Sequence, residues 1–519
     1  MAEPPAHDAD VLIVGAGLGG GIAARALAEA GLSVIVLEKG GAGFRAEETA
    51  LDLELADPVA RALRGFWPEP AETVIDGRAL RRFLPLGSGI GGSSVFYAAR
   101  LERPARHDIE ELPGRPHPAG GWPMGWDELA PWFDAAERML HVHGEPDPLD
   151  DRPAPCLALP PPAGPADRAI MRHLERNGLH PYRLHEAMAF LPGCADCGGR
   201  KCPRPCKMDG RSAGIEPGLE TGRLRVITGA EVTRIRMRGL VAQGVDYLHE
   251  GAPRRLAARH VVLAAGALSS PRLLLASAGE GHARGIGNDA GLVGQHLMFH
   301  LNEMFLVWPG REAGTDIARA VAFRDLYHAE GQRLGMVQAM GVTAGEGEIL
   351  HFLRLRAAER GLRGRLVQEG LRLPAALAAR LLGKGRVLVG LLEDMPDPGN
   401  RVTFDPAAPG RIAFTYRTAP EAGARRRLFR RLIRRAFRGR RLLFLSDRAE
   451  PNLGHACGTL RMAATAGQGV TDGSGRVHGT ANLWVADASV FPSSMGVNPG
   501  LTIAALALRQ ADRIGRERR

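Results

Sequence analysis

The chain has 519 residues, more than one ordinary core accommodates, so two lobes are expected. Hydrophobic residues make up 45% and charged residues 24%, a globular balance that excludes wholesale disorder. The formal charge is +10, yet aromatic residues are only 5% and no nucleic-acid-binding module is recognisable; the excess reads as an Arg-rich solvated surface, and nucleic acid is excluded as a partner. No apolar run is long enough to span a bilayer, and Met1 to Asp10 is acidic, Pro-containing and unlike a signal peptide. Six Cys in so long a chain do not make a disulfide framework, so a cytoplasmic, reducing location is expected.

In chain order, Val11 to Val14 reads as a strand, and the glycine cluster Gly15-Ala16-Gly17-Leu18-Gly19-Gly20 follows at once. Ile22 to Ala30 reads as an Ala-rich helix closed by Gly31, and Val34 to Leu37 as a second strand. This is the length of a parallel strand–helix–strand crossover. In such a unit Gly15 makes the tight turn, Gly17 lets a pyrophosphate approach and Gly20 lets helix pack on strand, while Glu38 can accept hydrogen bonds from ribose hydroxyls. A dinucleotide site follows, and the acid at Glu38 counts against a 2′-phosphate.

Residues 103–192 are Pro- and Trp-rich and irregular. Beyond them lies a cluster of four Cys, at positions 194, 197, 202 and 206, followed by Lys207. Cys194, Cys197, Cys202 and Cys206 can hold an iron–sulfur cluster or zinc, or can stand as a loop of reduced thiols. His260 to Ala265 reads as a strand leading through Gly266 to a helix near Pro271 to Ser277. Residues 301–445 mix strand-like runs, such as Arg401 to Phe404, with Arg-rich amphipathic helices. Leu428, Phe429, Leu432, Ile433, Ala436 and Phe437 recur at helical spacing within Arg425 to Arg441, and Leu353 to Lys384 is similar. Each is expected to pack one stripe on the core and solvate the other, with peripheral contact to an anionic membrane as the alternative. Leu483 to Ala486 reads as a last strand. Asn498 is a good N-cap and Pro499 a good first residue for a helix to Ile514, whose positive end suits a negative ligand.

Two segments near the C-terminus, His455-Ala456-Cys457-Gly458-Thr459-Leu460-Arg461-Met462 and Asn498-Pro499-Gly500-Leu501-Thr502, together with the glycine unit, resemble the glucose–methanol–choline (GMC) family of FAD-dependent oxidoreductases. Gly87 to Ser94, Trp122-Pro123 to Glu137, Gly266 to Ser277 and Val485 to Ser489 add to the likeness, so both ends and the middle of the chain carry it. The resemblance implies an α/β fold with a discontinuous Rossmann-type FAD lobe and a substrate lobe built on a mixed or antiparallel sheet covered by helices. The expected division is 1–110, 186–300 and 446–519 for the flavin lobe, with 111–185 and 301–445 for the substrate lobe. It further implies that His455 takes the proton of an alcohol while the carbon-bound hydride passes to flavin N5, and that Asn498 ligates the substrate oxygen. FAD contacts are expected at Gly15, Gly17, Gly20, Glu38, Gly87, Gly92, Ser93, Val232, Ala265, Asp487, Ala488, Asn498, Pro499 and Thr502. The electron acceptor is left open between O2, a quinone and a redox protein; non-redox lyase activity and a non-catalytic flavoprotein partner are the alternative functions. The Cys197, Cys202, Cys206 spacing is similar to the cluster-binding segment of some multi-subunit dehydrogenases of the family. His300, in Leu297-Met298-Phe299-His300, is expected to be structural. The chain departs from the family at Tyr97, where Asn is frequent, and at Ala278, which precedes Gly279. Glu393 is expected to be an exposed surface residue.

Overall fold

A computed structural model describes residues 7–46, 58–150, 154–194, 196–359, 361–362 and 364–517. The chain opens with β1 (Ala9–Val14), α1 (Leu18–Glu29) and β2 (Val34–Leu37). The helix starts four residues before the first of its apolar run, because Gly19, Gly20 and Gly21 are small enough to be helical while pressed against neighbouring backbone. Further along come β3 (Leu224–Ile227), β4 (Ala230–Arg238), β5 (Val241–His249), β6 (Ala252–Leu263) and α2 (Ser270–Ala276). The next long elements are β7 (His300–Val307), β8 (Val337–Thr343), α3 (Glu346–Glu359), α4 (Arg365–Gly370), α5 (Arg372–Leu382), β9 (Arg386–Glu393) and α6 (Ala422–Ala436). The chain ends with β10 (Leu483–Val485) and α7 (Gly500–Glu517).

The first sheet has the order β3-β2-β1-β6-β5-β4, with β10 also on β6. Its centre is parallel, β3-β2-β1-β6-β10, and β4-β5-β6 form an antiparallel meander. At the centre of the parallel part β2, β10 and residues 11–14 of β1 are wholly apolar and buried, as they must be when helices cover both faces. Strand β6 starts earlier than its apolar run suggests: Ala252 to Ala257 belong to the meander, and continuous burial begins only at Val261.

The second sheet is antiparallel and runs from Leu442–Phe444 through β7, β9, β8 and Val321–Phe323 to Tyr182–Arg183. All eight residues of β9 are buried, since α6 lies against it with Phe429 over Gly390. Leu428, Phe429, Ile433 and Ala436 enter the core while Arg427, Arg431, Arg434 and Arg435 of α6 face outward; Arg426 and Arg430 bind the buried carboxylate of Glu303, and Arg425 is buried and donates to the carbonyls of Arg333 and Glu393. The expected arrangement therefore holds for α6. It does not hold for α3 to α5, where Ala357 and Ala375 are buried and most large apolar side chains face out.

Glu393 also departs from expectation. It ends β9 at 1% exposure and pairs with Arg333 Nε at 2.7 Å; Arg333 in turn donates to Asp108 at 2.9 Å. The pairing partner lies 60 residues away, and nothing local announced it. Among the described residues no helix is long and apolar enough to cross a membrane.

Candidate active site

The glycine loop after β1 is shaped by contacts that no larger residue tolerates. A Cβ at Gly15, where φ is +105°, would lie 2.5 Å from the Ala264 carbonyl oxygen, and one at Gly20 would lie 2.1 Å from the Gly15 carbonyl oxygen. Gly17 is different. A Cβ there meets nothing within 4 Å, so the loop leaves open space at the N-terminus of α1. That helix has no acidic residue in its first turn and no side-chain cap, so its leading amides suit an anion. The donor set and the cradle at Gly17 fit the pyrophosphate of FAD.

Glu38 sits over this loop at the end of β2. Its two carboxylate oxygens accept from the amides of Ala16 at 2.9 Å and Gly40 at 2.8 Å. Burial pushes its carboxyl up from the usual range, against the pull of these amides. Gly87 to Phe96 forms the roof: a Cβ at Gly92 would lie 2.9 Å from Gly17 Cα, Gly87 presses on Gly92, and Ser93 Oγ accepts from Gly87 N at 2.9 Å. Ala265 borders Gly15 on the β6 side. Asp487 fixes the neighbouring turn by accepting from Gly266 N at 2.9 Å and Ser270 Oγ at 2.6 Å, while the Ala488 carbonyl takes the amide of Gly458 at 3.1 Å. Val232 is buried in β4, opposite Tyr247.

The start of α7 converges on the start of α1. A Cβ at Gly500 would lie 3.6 Å from Leu18 and 3.9 Å from the ring of Tyr97, whose hydroxyl donates to the Met208 carbonyl. Two helix N-termini, neither with an acidic first turn, thus face one region. The helix begins at Gly500, and Ile503 N bonds the Pro499 carbonyl at 3.0 Å, so Pro499 occupies the capping position expected for Asn498. Asn498 is drawn elsewhere: its Nδ2 donates to Gln338 Oε1 at 2.8 Å, 160 residues away. Thr502, fully buried, directs its hydroxyl to the sulfur of Met495.

His455 ends a short 3-10 turn, Leu453–His455, capped by Asn452. A ladder holds the segment beside the lead-in to β7, with Met298 and Cys457 exchanging both amide bonds at 3.0 Å and Gly294 N bonding the Thr459 carbonyl at 2.9 Å. Gly458, at φ +88°, passes close to the His296 carbonyl, where a Cβ would lie at 2.4 Å. The ring of His455 is half-buried, and its Nδ1 is 3.0 Å from Nδ1 of His300, which is fully buried. The other nitrogen of His300 is 3.0 Å from the Met495 carbonyl, three residues before Asn498. His300 therefore joins the two C-terminal segments. Burial first, and the neighbouring His300 second, push the pKa of His455 down to about 3; burial pushes that of His300 down to about 4. Both rings are neutral at ordinary pH. Gln338 and the linking role of His300 have no local signal in the sequence.

The cysteines resolve into pairs. Cys194 and Cys206 lie sulfur to sulfur at 3.1 Å, and Cys197 faces Cys202. Among the described residues no three of these sulfurs gather within 4.8 Å of one another. Thiolates on one tetrahedral zinc stand about 3.8 Å apart, and an iron–sulfur cluster holds them farther apart still, so this spacing fits paired thiols better than a metal. Beneath the loop Lys207 is fully buried, donating to the carbonyls of Val95, Tyr97, Cys197 and Arg200. It clamps the Cys loop to the roof of the dinucleotide site. The cluster of Asp134, Glu137 and Cys156 is claimed by arginines: Arg103 binds both carboxylates and Arg138 the sulfur.

Comparison with known proteins identifies the family. Residues 9–302 match the N-terminal GMC oxidoreductase family model and residues 396–507 the C-terminal one. The chain is similar to paromamine 6'-oxidase of Streptomyces fradiae, at 28% identity over 97% of this chain and 90% of that protein. It is also similar to 2-methyl-1,2-propanediol dehydrogenase of Mycolicibacterium austroafricanum, at 27% identity over 98% of this chain and 96% of that one. An FAD-dependent oxidoreductase from Chaetomium thermophilum shares the fold, with a TM-score of 0.64 at 18% identity, covering 98% of this chain and all of that one. With its glycine cradle and its two family segments in place, the chain belongs to the GMC oxidoreductases, and it is an FAD-dependent enzyme that oxidises alcohols.

Proposed function

We propose that His455 Nε2 is the base that takes the hydroxyl proton and that Asn498 holds the substrate oxygen. The observation that carries this reading is the hydrogen-bond chain through His300. A backbone carbonyl only accepts, so His300 Nε2 must carry a hydrogen to meet Met495. A neutral ring then offers a lone pair at Nδ1, which accepts the Nδ1 hydrogen of His455. That tautomer leaves the lone pair of His455 at Nε2, free to receive a proton. When it does, the imidazolium still has His300 as acceptor on its other side.

Asn498 is oriented by Gln338, which takes one hydrogen of its amide. The second hydrogen of the same nitrogen is available to an alcohol oxygen, and a carboxamide does not titrate. FAD bound over the glycine loop supplies the acceptor for the hydride that leaves the carbinol carbon. The balance is an alcohol losing one proton to His455 and one hydride to the flavin, giving a carbonyl. Gln338 belongs to 301–445, the proposed substrate lobe with 111–185, whereas His455 and Asn498 belong to 446–519, the proposed flavin lobe with 1–110 and 186–300. The reacting oxygen would sit at their junction.

The substrate class we assign is a small hydroxylated molecule, in keeping with relatives named for paromamine and for 2-methyl-1,2-propanediol. Both names denote redox enzymes, which favours oxidation over the lyase alternative. The test is anaerobic mixing of the holoenzyme with a panel of polyols and aminocyclitols, then admission of O2 or of a quinone. Bleaching of the flavin by a member of the panel supports the reading, and the faster re-oxidant identifies the acceptor. Carbonyl formation with no bleaching selects the lyase.

A further inference from the structure

The helices α3 to α5, inserted between β8 and β9, are built inside out. Eight of the 19 exposed large apolar side chains found among the described residues fall within residues 352–381. On α5, Ala375 is buried while Leu373, Leu377 and Leu381 stand 79%, 61% and 64% exposed. These three are spaced four residues apart, so they line one face. Leu366 on α4, at 90%, and Phe352 on α3 extend the apolar surface. The helices are held to the body at their roots, where Ile349 and Leu382 pack with Leu306, Ala344 and Val387. Their tips pack through alanines, and the large side chains are left to solvent. A helix that buries its small residues and exposes its leucines has a partner outside the molecule.

The chemistry of that partner follows from charge. Residues 346–384 carry eight Lys and Arg against four Glu, and Arg372, Arg380 and Lys384 flank the leucine stripe. Two copies meeting through this face would bring like charges together, whereas an anionic lipid surface receives both the stripe and its cationic border. Gln338 and Thr343 stand near opposite ends of β8, so α3, which follows Thr343, leaves the sheet at the end away from the oxygen ligand.

We propose that α3 to α5 form a docking surface that seats the enzyme on an anionic bilayer, with the leucines inserted among the acyl chains and the basic residues at the headgroups. This stands independently of how the active site works, because it uses none of its residues.

The test is co-sedimentation of purified holoenzyme with vesicles of phosphatidylcholine alone or mixed with phosphatidylglycerol, alongside the variant Leu373→Ser/Leu377→Ser/Leu381→Ser and the control Leu159→Ser, which alters a still more exposed leucine elsewhere. The expected result is binding to the mixed vesicles, weakened at least about tenfold on neutral vesicles and about a hundredfold by the triple substitution, with the control unchanged. Flavin content and turnover in vesicle-free solution should be equal in all three proteins. Failure to bind either vesicle, equal binding to both, retention of binding by the triple variant, or a concentration-dependent dimer that the triple variant abolishes would each overturn the proposal.

Discussion

His300 has a carbonyl on one side and an imidazole on the other, and this fixes the hydrogen of His455 without any ionised group. The consequence is visible in pH dependence. Because the pKa of His455 is pushed down to about 3, its basic form persists as pH falls through the ordinary imidazole range. We therefore expect kcat/KM of the free enzyme to be flat between about pH 8 and pH 5; a protonation step near 6.5 would contradict the lowered pKa of His455. Replacing His300 by Ala removes the neighbour that helps lower that pKa and also frees the tautomer. The expected result is a fall in kcat/KM of about tenfold to a hundredfold together with an acid limb moved to higher pH, whereas a merely structural His300 would lower activity without moving the limb. At this scale the sequence was partly legible. His455 and Asn498 stand in recognisable segments, but their partners His300 and Gln338 are 155 and 160 residues distant, and only the fold brings them together.

Among the elements, the glycine loop separates two roles that the motif alone does not distinguish. A Cβ at Gly20 collides with the Gly15 carbonyl inside the protein, while a Cβ at Gly17 enters open space, to which we assign the pyrophosphate. Gly20→Ala should cost about 3 kcal/mol or more of stability, measured by denaturant unfolding of the apoprotein. Gly17→Ala should leave that stability within about 0.5 kcal/mol and lower flavin occupancy at least about tenfold; equal behaviour of the two variants would remove the pyrophosphate assignment. Lys207 is a third element-scale device, since its ammonium gathers four carbonyls from the roof loop and the Cys loop. Lys207→Met should cost about 3 kcal/mol, read as a lowered unfolding midpoint. The first crossover was legible because strand, turn and helix lie within 30 residues of each other. The start of α7 was misplaced by one residue, because a tertiary bond to Gln338 outbids Asn498's local preference for capping.

Across the whole molecule, a largely parallel sheet and an antiparallel sheet meet where residues 294–300, 455–459 and 495–502 come together. Amphipathic periodicity identified both groups of Arg-rich helices, but it cannot say which face has a partner. In α6 the apolar face found β9; in α3 to α5 Ile349 and Leu382 reach the body at the roots, while Leu373, Leu377 and Leu381 stay exposed. The same limit explains Glu393, whose polarity suggested the surface and whose burial depends on Arg333. The strand–helix–strand start of the first sheet was thus legible from local pattern, and the second sheet, whose β7–β9 and β8–β9 partners lie 43 to 93 residues apart, was not. The claim on which the rest depends is tested by a single-turnover experiment: anaerobic flavin reduction by a saturating alcohol in the wild-type holoenzyme and in His455→Ala with matched flavin content. The account predicts a reduction rate about a hundredfold to ten-thousandfold lower in the variant, with flavin binding retained. A variant that bleaches as fast as the wild type would contradict it.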